Sequence, residues 1–193
     1  MPSTRSHVTW FRALVCQAGG RGFKSPRSRP FERGLVTRSA WDAFIQGDQS
    51  ALTDAQKSGF NTFGATGCQW CHSGPYVGGS GYQKLGVVKP WPNQTDQGVY
   101  QLTKDEIDKM AFKVPWLRNF KKTGPYFHDG SVAMLDEAIR NMAAHQRGVT
   151  LTDAQVRSIE IWMDSLTGQI PASYIKAPEL PKSTPQTPQP TGE

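Results

Sequence analysis

The chain has 193 residues, 37% of them hydrophobic and 20% charged, with a formal net charge of +6. That length supports one ordinary domain with a core of its own. The balance of apolar and charged residues excludes a membrane-embedded chain and a wholly disordered one, and no apolar run approaches the roughly 20 residues needed to cross a bilayer.

Residues 1–36 are rich in Arg, Gly, Ser and Pro and show no sustained periodicity, so they read as a disordered basic head. Arg5, Arg12, Arg21, Lys24, Arg27, Arg29, Arg33 and Arg38 face Glu32 alone before residue 40. Their spacing lacks interleaved aromatics, so no nucleic-acid or membrane partner is expected. The apolar stretch from Val8 to Cys16 is short and broken by Arg12, which does not make a convincing signal peptide.

Organised sequence begins near Arg38. Residues 39–46 predict a short helix with Trp41, Phe44 and Ile45 on one side. Thr53 and Gln56 form a capping box that opens a second helix, with Phe60 and Phe63 toward the core and Gly64 and Gly67 ending it. Residues 73–100 read as a long glycine- and proline-rich loop, a kind of segment that is usually functional. Thr103 with Glu106 predicts a helix running to about Phe112, broken by Pro115. Residues 135–145 predict a helix with Leu135, Ala138, Ile139 and Met142 at helical spacing. Thr152 and Gln155 cap a last helix carrying Val156, Ile159, Trp162, Met163 and Leu166, ended by Gly168. The expected division is a basic head over 1–36, a domain over 37–175 and a proline-rich tail over 176–193. The predicted fold class is all-α, helices joined by long loops.

One motif carries chemistry. Cys68-Gln69-Trp70-Cys71-His72 is C-x-x-C-H, the attachment signature of a c-type haem. Two residues between the cysteines set both sulfurs along one porphyrin edge for thioether bonds, and the adjacent histidine meets the iron. A redox dithiol of the thioredoxin kind needs α/β surroundings, which are missing here. A zinc site needs a second ligand pair, and His7, His128 and His145 have no such spacing. Cys16 stands alone, so no disulfide framework is expected. One covalent haem c is therefore expected, held by Cys68 and Cys71 with His72 as proximal ligand. Met110, Met134, Met142, Met163, His128 and His145 all remain open as the sixth ligand on spacing alone.

Several further blocks occur in a fixed order with the motif. They are Leu52-Thr53-Asp54-Ala55-Gln56-Lys57-Ser58-Gly59, the glycine loop 77–82, Phe112-Lys113-Val114-Pro115-Trp116-Leu117-Arg118-Asn119, Gly124-Pro125-Tyr126-Phe127-His128-Asp129-Gly130, and Leu135-Asp136-Glu137-Ala138-Ile139 with Met142. From about Ser39 to Leu180 the chain thereby resembles the C-terminal, high-potential haem domain of the bacterial dihaem cytochrome c peroxidases, the wider group that includes MauG-type enzymes. The resemblance implies a cytochrome c-like helical domain. It implies Met142 as distal ligand, where MauG-type members carry a tyrosine. It implies backbone carbonyls of Thr123 and Pro125 as contributors to a calcium site, and His128 near a domain interface. Arg118 becomes a candidate for a haem propionate or interdomain contact, with a structural salt bridge as the alternative.

The same resemblance implies a function: electrons arrive from a small cytochrome c or cupredoxin and pass to a peroxidatic haem that reduces hydrogen peroxide to water. The peroxidatic domain has no counterpart in residues 1–36, and the sequence holds one C-x-x-C-H. No catalytic residue is therefore expected within this chain, and a stand-alone monohaem electron carrier or a MauG-like protein oxidant are the alternatives. Family members are commonly dimers, so a homodimer is an expectation. C-type attachment implies the periplasm. The stretch Gly22-Phe23-Lys24-Ser25-Pro26 matches a translated transfer-RNA T-arm, so the head is expected to be foreign sequence joined by a truncated or frameshifted gene.

Overall fold

The computed structural model describes residues 37–169 and Thr184. The predicted head over 1–36, the upper domain boundary at 175 and all of the tail but Thr184 lie outside the described residues.

Three helices make the framework. Helix α1, Ala40–Ile45, starts at Ser39, whose backbone N–H donates to the Asp42 carboxylate at 2.7 Å. Trp41 is buried and Phe44 packs on the core, but Ile45 faces outward at 44% exposure. Only the first two of the predicted apolar trio share a face, because the helix is too short to bury three. Helix α2, Asp54–Ala65, opens with the predicted box: Thr53 N–H donates to Gln56 Oε1 at 3.0 Å, and Gln56 N–H to Thr53 Oγ1 at 3.2 Å. The last framework helix repeats the device with Thr152 and Gln155, at 2.9 and 3.2 Å. Each box satisfies two N–H groups that the first turn leaves unpaired.

The helix after Thr152 runs Asp153–Asp164, one turn shorter than predicted; Leu166 is fully buried in the turn beyond it. It lies against α2 at Gly59, where a Cβ would stand 2.0 Å from the Ser158 carbonyl oxygen. That backbone approach lets the rings of Trp41, Phe60 and Phe63 close on Trp162, with centroids 5.6, 5.3 and 4.5 Å away. Edge-on and tilted aromatic contacts of this kind carry much of a core's burial.

Between these helices the chain is irregular. A short helix α3, Tyr100–Thr103, ends at Lys104 in the left-handed region. The helix predicted from Thr103 to Phe112 does not form. Thr103 Oγ1 accepts from Asp105 N–H, and Asp105 in turn caps a 3-10 turn, Glu106–Asp108, through Ile107 N–H. Glu106 pairs with Lys109 instead of reaching back to Thr103. Local side-chain bonds thus outcompete the helix, and Ile107, 81% exposed, supplies no core contact to hold one. Strand β1, Tyr82–Lys84, inside the predicted loop, pairs antiparallel with β2, Ala111–Lys113, with Tyr82 opposite Lys113. The architecture is helix-rich with this one two-stranded sheet among the described residues, so the all-α expectation holds in this coarser, helix-rich form.

Helix α4, Leu135–Met142, follows the predicted pattern and then continues as a π-turn, Ala143–Arg147. We number the helix Asp153–Asp164 as α5.

Candidate haem-binding site

The C-x-x-C-H motif sits where α2 ends. Gly67, in the left-handed conformation, starts a 3-10 turn, Cys68–Trp70, and both Cys71 N–H and His72 N–H donate to the Cys68 carbonyl. This tight turn brings Cys68, Cys71 and His72 to one wall of a cavity of about 500 Å³. The helical wall comes from Phe63 of α2, Ala138, Ile139 and Met142 of α4, and Ile159 and Met163 of α5. The loop wall comes from strand β2 and the loops around it, through Phe112, Pro115, Leu117 and Phe127 among others. A mostly apolar concavity with a few converging polar groups is the usual form of a cofactor site.

The His72 ring packs near Phe63, centroids 6.3 Å apart. Burial drives its pKa below the ordinary histidine value, partly offset by the nearby carbonyls of Val77 and Pro115. Nδ1 is buried and makes no hydrogen bond of good geometry. A Cβ on Gly78 would lie 3.1 Å from that nitrogen and 2.2 Å from the Pro115 oxygen, and Gly78 has φ +125°. Only glycine allows these two backbone segments to close over the ring. A neutral imidazole with Nδ1 buried beside backbone carbonyls leaves Nε2 as the nitrogen free for a metal. Burial also holds the Cys68 thiol above its ordinary pKa, with Thr66 Oγ1 3.4 Å from Sγ and the Arg147 charge opposing the rise. The residues present therefore fit a c-type haem: two cysteines on one edge, a histidine ready to ligate, and apolar walls of porphyrin-accepting size.

The cavity narrows the list of sixth-ligand candidates. Met142, Met163 and His128 line it. Met134 is 63% exposed, and Met110 belongs to a separate small pocket. His145 is buried with Nδ1 2.8 Å from the Lys89 carbonyl oxygen and is not on the cavity wall. Thr123 and Pro125 line the cavity on the loop side, and His128 stacks on Phe112 with centroids 4.0 Å apart. Arg118 stands apart from them. Its guanidinium donates to Asp42 through both terminal nitrogens at 2.7 Å, to Ser39 Oγ at 2.9 Å and to the Pro75 carbonyl at 2.7 and 3.0 Å. These bonds include the structural ion pair that the sequence left open as the alternative role.

Two wall residues escape a helical reading of the sequence. In the π-turn Gly148 N–H donates to the carbonyls of Ala143 and Ala144, and residues five apart come onto one face. Met142 and Arg147 are five apart and both line the cavity. Gln146 ties this turn to the loop wall: its Oε1 accepts from Gly86 and Val87 N–H at 2.6 and 3.1 Å, and its Nε2 donates to the Lys84 carbonyl at 2.9 Å. The His145 carbonyl accepts from Val88 and Lys89 N–H. Only Gly148 at the end of the turn, in the left-handed region, leaves a trace in the sequence.

Comparison with known proteins identifies the architecture. No protein-family model matches the chain. It is 42% identical over 161 residues to the cytochrome c551 peroxidase of Nitrosomonas europaea, covering 82% of this chain and 48% of that protein. Over this span the chain is a homologue of the bacterial cytochrome c peroxidases. The Pseudomonas aeruginosa cytochrome c551 peroxidase matches at 37% identity over 166 residues, covering 83% of this chain and 47% of the relative. This cytochrome c peroxidase homologue thus spans about half the length of the curated relatives it matches. Among solved structures, a MauG-like protein associated with microbial copper homeostasis superposes with a TM-score of 0.56 at 24% identity, over 69% of this chain and 49% of that one. That likeness shows the fold.

Proposed function

We propose that this chain is the electron-transfer haem domain of a dihaem cytochrome c peroxidase, with one haem c joined to Cys68 and Cys71 and ligated by His72 and Met142. The observation that carries the reading is the convergence of those four residues on one apolar cavity. When bound, a c-type haem exchanges single electrons, and a methionine ligand raises its potential and closes the iron to peroxide. The chain's own contribution is orientation and exclusion of water. Gly78 and Pro115 fix the His72 ring, the α4–π-turn junction presents Met142, and Phe63, Phe112 and Leu117 keep the cavity apolar.

The proposed donor is a small cytochrome c or cupredoxin, and hydrogen peroxide is the final acceptor through a second haem domain of the kind the relatives' other half would supply. The carbonyls of Thr123 and Pro125 are the proposed contributors to calcium. Covalent haem implies the periplasm, and among the described residues no helix is long and apolar enough to cross a membrane.

Expression with the haem-attachment machinery tests the reading directly. Haem should stay on the polypeptide in a denaturing gel, and Cys68→Ser with Cys71→Ser should abolish that staining. Met142→Ala should turn the iron high-spin and lower its potential. A low-spin spectrum and potential identical to the parent would assign the sixth ligand to Met163 or His128 instead.

A further inference from the structure

We infer that Arg147 is a tuning residue: a fixed positive charge at the cysteine edge of the cavity that favours the reduced state of the iron. The inference rests on the haem reading above, and its argument is geometric. The guanidinium carbon lies 3.9 Å from the centroid of Trp70, one of the two residues between the motif cysteines. Gly67 also stands against it, where a Cβ would come within 2.7 Å of Nε and 2.9 Å of Nη2. The charge is thus packed against both an indole face and the Gly67 backbone, with the cation–π contact fixing its position. The π-turn brings it to the wall shared with Cys68 and Met142.

Three features separate this arginine from an ordinary surface cation. Its Nε is buried and has no hydrogen-bond partner. Among the described residues it forms no ion pair, whereas Arg118 and Arg140 both hold aspartates. Its tether, Gln146 and His145, is itself clasped to the 84–89 segment by the hydrogen bonds described above. A cation that is positioned, partly desolvated and uncompensated acts on the cavity with little screening. An electron added to the iron gains from that field, and an electron removed loses by it. Trp70, 77% exposed, contributes nothing to the core and serves here as the platform that holds the charge.

The test uses the full chain loaded with haem, titrated spectroelectrochemically at one pH and ionic strength. At the potential where the parent is half reduced, Arg147→Gln should lower the ferrous-to-ferric ratio about tenfold, equivalent to about 59 mV for one electron. Arg147→Lys should stay within about threefold of the parent. Both should keep the parent absorption spectrum, which reports unchanged axial ligands. A ratio in Arg147→Gln within twofold of the parent overturns the inference, as does a fall in Arg147→Lys equal to that in the glutamine variant, which would assign the effect to shape. Trp70→Leu provides a second route should Arg147→Gln not take up haem. Releasing the guanidinium should make the potential more salt-dependent and lower the ratio about threefold, and an unmoved potential overturns the inference. A parent chain that binds no haem sinks the functional reading itself, an outcome separate from a loaded parent with unmoved variants.

Discussion

The helical wall of the cavity is held by the packing of two helices, and the loop wall by burial together with a lacing of single hydrogen bonds. Trp162, Ile159, Val156 and Leu166 are the largest fully buried side chains, all in or just after α5, and α2 packs on Trp162 through Phe60 and Phe63. The loop wall also buries apolar side chains, among them Val77, Trp91, Leu117 and Tyr126, but no helix pair backs them. Its segments are laced together by single backbone bonds, among them Leu117 N–H to Val77, Val114 N–H to Gly81 and Gly79 N–H to Val114, and by side chains that reach the backbone, above all Gln146 and Arg118. The contrast implies that one wall exists before any cofactor arrives, while the other depends on a few specific bonds and opens first.

Breaking the helical wall should cost most. Trp162→Ala removes the ring on which Trp41, Phe60 and Phe63 converge. About 3–5 kcal/mol of stability should be lost, measured by denaturant unfolding. A loss below about 1 kcal/mol would mean that α2 and α5 are held by something other than this cluster.

The Arg118–Asp42 pair joins the two regions, because Asp42 belongs to α1 and Pro75 to the loop beside the haem motif. Arg118→Met should cost about 2–3 kcal/mol by leaving a partly buried carboxylate without its charged partner. Asp42→Asn adds a pH signature. The Arg118 hydrogen bonds hold the Asp42 pKa below its ordinary 3.8, so its contribution is complete above pH 3.8 and vanishes as pH falls through the lowered value. The stability gap between parent and Asp42→Asn should therefore be flat from neutral pH down to about 4 and close below that. A gap that persists at lower pH would show that charge is not what the pair supplies.

These two walls were not equally legible in the sequence. Capping boxes at Thr53 and Thr152 announce α2 and α5, because the box is local and both its members are within one turn. The same signature at Thr103 and Glu106 misleads, since Ile107, the apolar residue of its first turn, is exposed and Asp105 captures the neighbouring amides. The short β1–β2 pairing leaves no alternation long enough to read. The C-x-x-C-H motif marks one edge of the cavity outright. Arg147 and Gln146 stay hidden because a π-turn changes which residues share a face, and no spacing rule for α-helices anticipates it.

Gln146 offers a sharper cut at the loop wall alone. Gln146→Ala removes three bonds to the backbone of residues 84–87, worth about 1–2 kcal/mol net. The effect should be local: hydrogen exchange at the Gly86 and Val87 amides should accelerate while amides of α5 keep their protection. Equal acceleration in both places would merge the two walls into one cooperative unit and dissolve the distinction.

The smallest effect tests whether the helical wall is graded within itself. Thr53→Ala and Thr152→Ala remove the same cap from α2 and α5, and each should cost about 1 kcal/mol in isolation. Their settings differ. Thr152 follows Leu151, which is buried and whose carbonyl accepts from Arg140 of α4 at 3.1 Å, while Arg140 also pairs with Asp153 in the first turn of α5. The start of α5 is therefore pinned by α4 as well as by its cap. Thr53 is backed by buried Leu52, but the ion pair at its first turn, Asp54 with Lys57, is exposed and only 3.7 Å close, a contact worth little. Loss of the Thr53 cap should fray α2 from its start, read as faster exchange over its first turn, whereas α5 should hold its first turn after Thr152→Ala. Fraying of α5 as large as that of α2 would show that the Arg140 bonds do not stiffen this junction, and that the wall facing Met142 depends on the aromatic cluster alone.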